Sequence, residues 1–178
     1  MEERPGSLQA MMDQGFEQLQ AGRFEDAINA FTACVAVYPE TGKAVLGRAI
    51  ARFQVKDWKA AENDFRRARD LDPEEPENWL GLGMSLAMQS EIYPALEVLE
   101  KLNARFPDFV RGYVQLGMLH IKIGAVTKGR GYLEQALQHR PSLAERQLIE
   151  STLKEQATRD HKRYYRPDFE ALRKRKSR

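Results

Sequence analysis

Trp79-Leu80-Gly81-Leu82-Gly83-Met84-Ser85-Leu86, followed by Ala95, Leu99, Leu102 and Pro107, is the stretch on which the fold turns. Trp79, Leu82, Gly83 and Leu86 stand three or four residues apart, which places them on one face of a helix. Ala95, Leu99 and Leu102 form the matching stripe of a second helix, and the turn between the two falls near Gln89 to Ile92. Moving 34 residues in either direction meets the same pattern. The prolines recur as Pro39, Pro73, Pro107 and Pro141, and the small residues as Ala27, Ala61, Ala95 and Gly129. Gly15, Ala49, Gly83 and Gly117 keep the period, as do Phe31, Phe65, Leu99 and Leu133, and Cys34, Ala68, Leu102 and Ala136.

Such self-similarity predicts a stack of helix pairs, because one pair cannot bury both its faces and its neighbours must supply the rest of the core. Glycine or alanine recurs where helices cross most closely, and the large residues recur where the crossing leaves room. Gly22 and Gly124 fall at the turns of units one and four, where glycine enters the left-handed conformation that ends a helix. Proline closes each unit, and Tyr38, Asp72, Phe106 and Arg140 before it are pushed out of helical geometry. The chain divides into a lead-in (1–7), four units (8–41, 42–75, 76–109 and 110–143), a capping helix (144–165) and a basic tail (166–178).

The composition agrees. With 178 residues, 42% apolar and 30% charged, the chain is one short array rather than a disordered polymer. Apolar runs such as Ala33 to Tyr38 fall far short of the roughly 20 residues that span a bilayer. No basic stretch leading into an apolar one opens the sequence, and a single cysteine, Cys34, sits in an apolar helical pattern as a small core residue. A cytoplasmic protein is the expectation.

The Trp79…Leu82-Gly83…Leu86…Ala95…Leu99…Pro107 pattern resembles the tetratricopeptide repeat (TPR) family, with Leu86 and Leu99 in slots where that family favours Tyr and Phe. Four consecutive units keep the period, over residues 8–143. Unit one departs with Gln14 and Gln18, and unit two with Arg48 and Arg52, where unit three has Leu82 and Leu86. Gly129 and the nearby Gly131 weaken the second helix of unit four. The resemblance implies an all-α, right-handed α-solenoid of four antiparallel helix pairs, whose first helices line a concave groove that holds a peptide or partner helix.

Read residue by residue, the lining is Met12, Phe16 and Leu19 in unit one, and Leu46, Ile50 and Phe53 in unit two. Unit three supplies Leu80, Met84 and Ala87, with Met88 beside them, and unit four Val114, Met118 and Ile121. Every slot is apolar. One reading is a groove for an apolar or amphipathic segment, with methionine adding adaptability. The other is that neighbouring inner helices bury the stripe between themselves. Lys43, Arg52, Arg111 and Lys122 would tune charge along the edge. Arg48 and Arg52 either pack their stems while their heads reach solvent or acids such as Glu25 or Glu62, or grip an anion. The carboxylate clamp of the family's heat-shock co-chaperones is not expected, because its slots hold Met12, Phe16, Gly47, Glu77 and Gly81, whose side chains donate no charged hydrogen bond.

After Pro141 the period breaks, and Leu143, Leu148, Ile149, Thr152, Leu153 and Ala157 form a partial apolar stripe for the cap. The overall charge of +2 is a cancellation. Nine basic residues and three acids leave residues 159–178 at +6, so residues 1–158 carry −4. Three readings of the tail compete. It is a solvated terminus, or Tyr164, Tyr165, Phe169 and Leu172 dock in a groove, or Arg173, Lys174, Arg175, Lys176 and Arg178 contact nucleic acid or anionic lipid.

Catalytic chemistry finds no foothold. His120, His139 and His161 lack metal-ligand spacing, Gly81-Leu82-Gly83 lacks the third glycine of a dinucleotide loop, and no nucleophile pairs with a base. No cofactor and no metal are expected. The function expected is non-enzymatic protein binding by an adaptor or scaffold. The alternatives are a self-assembly module forming a homo-oligomer through groove and tail, or a chaperone similar in architecture to those that hold secretion-system clients.

Overall fold

The computed structural model describes residues 6–164, with the side chains of residues 6–158. Over these residues the chain is helical throughout, in four pairs and one long final helix. The pairs are α1 (Leu8–Gln20) with α2 (Phe24–Val37), α3 (Gly42–Gln54) with α4 (Trp58–Leu71), α5 (Pro76–Met88) with α6 (Ile92–Arg105), and α7 (Val110–Lys122) with α8 (Val126–Gln138). The last helix is α9 (Leu143–Tyr164). Each helix packs on the next in sequence, and the odd-numbered helices of adjacent pairs also touch, so α1, α3, α5 and α7 line one side of a solenoid.

Small and large residues interlock at the crossings. Phe31 of α2 is fully buried, and its ring presses on Gly15 of its own unit and on Gly47 of the next, where an added Cβ would lie 2.5 and 2.4 Å from ring carbons. Phe65 does the same one unit later against Gly81, at 2.1 Å. The glycines therefore create the close approach that lets an aromatic ring seal the seam between units.

Four turns share one backbone geometry. Gly22 and Gly124 have φ of 71° and 85°, as the sequence led one to expect. Lys56 and Ser90, at the equivalent turns, adopt φ of 65° without being glycine. Tyr38, Asp72 and Phe106 leave their helices with φ between −124° and −139°, but Arg140 leaves through the left-handed region, at φ 54°.

At the C-terminal end, α9 packs on α8 and keeps the register of the preceding units. Ile149 takes the slot of Gly47, Gly81 and Gln115, and is fully buried with Leu133 and Ala136. Its start is fixed by a capping box, in which the Glu145 amide donates to Ser142 Oγ (3.3 Å) and the Ser142 amide donates to Glu145 Oε2 (2.8 Å). The apolar stripe read for this helix also divides. Ile149 and Leu153 pack inward, whereas Leu143 is 72% exposed and Leu148 is exposed too. At the other end, Gln14 and Gln18 border a shallow polar hollow with Asp26 and Asn29 and carry no helix over them among the described residues. Leucine in those slots would face water, which accounts for the departure of unit one.

Candidate functional site

The concave side is built by α1, α3, α5 and α7, whose length of 13 residues and shared register repeat the same slots at each level. Two apolar hollows open on it, meeting at Met84. The first, about 330 Å³, lies over α3 and α5, with Leu46, Ile50, Phe53 and Met84 as walls and Leu80 as floor. The second, about 310 Å³, lies over α5 and α7, with Met84, Ala87, Met88 and Met118 as walls, and Leu99 and Leu119 beneath. Met88 and Met118 are 49% and 40% exposed, large fractions for such side chains.

The other lining residues named from sequence are placed differently. Met12, Phe16 and Leu19 are half-buried against the core of unit one, where the Phe16 ring meets Phe31 edge-on at 5.1 Å. Val114 is buried and Ile121 half-buried in the core of unit four. None of these five borders the two hollows. Part of the stripe is thus open and part is packed between helices. Conversely, Gln54, Phe65 and Gly81 in the first hollow, and Leu99, Gln115 and Leu119 in the second, escaped the sequence reading. Leu99 alone left a trace, as leucine in a slot held by phenylalanine in units one and two.

Charge is distributed unevenly. Arg111 pairs with Glu77 at the edge of the first hollow. Burial raises the Glu77 carboxyl, Arg111 pulls it down, Glu75 pushes it up again, and the balance lies above the usual value. Lys122 borders the second hollow, and Lys43 is exposed at the start of α3. Neither forms an ion pair among the described residues.

Arg48 and Arg52 do not reach Glu25 or Glu62. Both turn onto the buried carboxylate of Asp64, Arg48 through two bonds of 2.8 and 2.7 Å and Arg52 through one of 2.7 Å. Asp64 engages both guanidiniums through three hydrogen bonds, so turning them onto another anion would first have to break a buried network. Glu62 serves a second network. It is buried, and accepts from Lys59 (2.8 Å), Arg66 (2.9 Å) and Gln89 (2.9 Å). Burial pushes its carboxyl up, but these three donors outweigh burial and hold it at about 2.

Among the described residues, the side chains of Ser85, Asn103 and His120 are buried without a hydrogen-bond partner, as is Asn78 Oδ1. Asn103 is unpartnered at the seam of α6 and α7, beside Gly112. His120 stacks on Tyr132 at 5.4 Å with neither ring nitrogen bonded, and burial, then Lys128, lowers its pKa. Among the described residues, no cluster of His, Cys, Asp or Glu gathers as a metal site, and no helix is long and apolar enough to cross a membrane. Tyr165, Phe169 and Leu172, with Arg173, Lys174, Arg175, Lys176 and Arg178, lie outside the described residues.

Comparison with known proteins adds three findings. A family profile for the tetratricopeptide repeat matches residues 12–76 and, overlapping them, 46–92. A DnaJ homolog subfamily C member 7 homolog from Dictyostelium discoideum is 36% identical over 55 residues, 31% of this chain and 10% of its own length. The chain thus spans about a tenth of that relative. The crystal structure of MamA superposes with a TM-score of 0.70 at 23% identity, covering 76% of this chain and 79% of that one. The first TPR of Spaghetti (RPAP3), bound to the HSP90 peptide SRMEEVD, superposes with a TM-score of 0.63 at 17% identity, covering 68% and 96%.

Proposed function

The chain belongs to the tetratricopeptide repeat family and folds as its right-handed α-solenoid, and from that premise we propose that it captures an apolar or amphipathic segment of another protein in its concave groove. A protein-interaction scaffold is the role this fold supports. The finer reading rests on one observation, the pair of adjoining apolar hollows walled by Ile50, Phe53, Met84, Met88 and Met118. Concave apolar surface with a few polar groups at its edge is the usual form of a binding site. Burying it contributes about 25 cal/mol per Å², less the cost of association.

The segment held is internal rather than a free C-terminus. The Spaghetti structure holds a peptide, but the slots of the family's carboxylate clamp carry Met12, Phe16, Gly47, Glu77 and Gly81 here. Gly47 and Gly81 are committed to receiving Phe31 and Phe65, so no lysine or arginine fits there without moving a core ring.

The test is an affinity pull-down from the native cell. Ile50→Asp with Met84→Asp places a carboxylate in each hollow, and abolishes capture while circular dichroism shows unchanged helix content. Equal capture by the double variant overturns the groove reading. Light scattering addresses self-assembly: a fall to monomer mass when the chain is ended after Ala157 would place the interface in the tail.

A further inference from the structure

Two slots, one on each helix of a unit, recur with the 34-residue period, and what fills them differs from unit to unit. Unit one has Gln18 and Ala30, which border the same polar hollow. Unit two has Arg52 and Asp64, a guanidinium on a carboxylate at 2.7 Å. Unit three has the apolar Leu86 and Val98. Unit four has His120 of α7 and Tyr132 of α8, whose rings stack at 5.4 Å with 11° between their planes. His120 is 4% exposed, and neither of its ring nitrogens has a hydrogen-bond partner. Two charged groups act on it, Lys128 from α8 and Glu100 from α6. The Lys128 ammonium stands over the Tyr132 ring at 5.8 Å and pairs with Glu100 at 3.4 Å. Where Arg52 meets an acid, His120 meets a phenol ring already shared with a cation.

Such a site accepts a neutral imidazole and rejects the imidazolium. A charged ring there would bring two N–H donors, with no acceptor in place for either, into a buried position. Burial first, and Lys128 next, hold the His120 pKa below its ordinary 6.5, while Glu100 pulls the other way. We propose that unit four is an acid-sensitive part of the array, in which uptake of one proton by His120 parts α7 from α8 and leaves the earlier units stacked. Histidine is the side chain whose ordinary charge change falls near neutral pH, and an end unit of a repeat array can open alone. A folded-state value below the unfolded one means that the opened unit takes up the proton first. The closed form is therefore fully favoured above the ordinary 6.5 and loses ground as pH falls below it. Met118 and Leu119 directly precede His120 and border the second hollow, as does Lys122. Opening removes that wall, so a segment held there is released in mild acid. This release rests on the groove reading above, whereas the opening itself does not.

Amide hydrogen exchange of the full chain, expressed as protection factors, is followed from about pH 7.5 to about pH 5. Protection in α7 and α8 falls by up to about tenfold per pH unit, the slope of one proton, while α3 and α4 keep theirs. His120→Leu copies the Leu86 slot of unit three and makes protection in α7 and α8 indifferent to pH over this range. Tyr132→Asp copies the carboxylate of unit two and reverses the slope, because the imidazolium then has an acceptor. Should Tyr132→Asp fail to fold, His120→Leu and the His120 ring resonances decide, the latter titrating below 6.5 in the parent chain. The proposal is overturned by an equal fall in parent and His120→Leu, by a fall spread evenly over all helices, or by no fall. A folded Tyr132→Asp chain that loses protection as the parent does overturns it too. The exchange measurement needs no bound segment, so this reading and the groove reading fail separately. Their link is tested by pull-down at about pH 7.5 and about pH 5.5. Release in acid by the parent and retention by His120→Leu support the link, and equal release by both overturns it.

Discussion

At the residue scale, four turns ask for the same backbone and only two have the residue that gives it freely. Gly22 and Gly124 occupy the left-handed region without a Cβ, whereas Lys56 and Ser90 hold φ of 65° against a steric cost. Lys56→Gly and Ser90→Gly should each raise stability by about 1 kcal/mol, read as a higher urea midpoint at unchanged m-value. The opposite change, Gly124→Ala, should lower it. The glycines at two turns were plain in the sequence, and the other two turns were placed by the period alone. The partner of Arg48 and Arg52 was not legible, because its column reads Ala30, Asp64, Val98 and Tyr132 and repeats no residue type. A lone aspartate in a varied column looks like surface, and only the fold shows it buried beneath two guanidiniums.

At the scale of elements, Glu62 ties α4 to the end of α5. It accepts from Lys59 and Arg66 of its own helix and from Gln89, which caps the next. Its carboxyl titrates at about 2 in the folded chain, against an ordinary value of 4.5. A folded-state value below the unfolded one means that the unfolded chain takes up the proton first. The stabilisation is therefore complete above about pH 4.5 and is lost as pH falls from there towards 2. It amounts to about 3 kcal/mol. Glu62→Gln should cost about that much at pH 7, and the gap between variant and parent should close as urea titrations are repeated at falling pH. The small and large columns that pack α1 to α8 were readable because a close crossing demands those sizes. The two hollows were not, since whether slots such as Ile50, Met84 and Met118 are covered or open depends on the neighbouring helices and not on residue type.

For the molecule as a whole, the stack is completed by α9, which continues the register in place of a further pair. Ile149 covers Leu133, the last member of the large-residue column. Ile149→Ala should destabilise the chain by about 2–5 kcal/mol, the cost of a buried branched residue. Units stabilised by their neighbours unfold from a weakened end, so hydrogen exchange should quicken most in α7 and α8 and least in α1 and α2. Uniform acceleration across all helices would contradict this order. The sequence marked the end of the period at Pro141 because α9 turns Gln147, Glu150 and Lys154 outward, and those polar slots hide the continuing register.

Leu99 carries a consequence of its own. A side chain 1% exposed ordinarily answers to folding alone, yet this one is also the floor of an open hollow. Shortening it opens a void against Gly83 and lowers the floor of the hollow at the same time. Selection for stability and selection for recognition therefore meet on a single buried atom group, and a mutational scan confined to surface positions would pass over the residue that sets the shape of the surface.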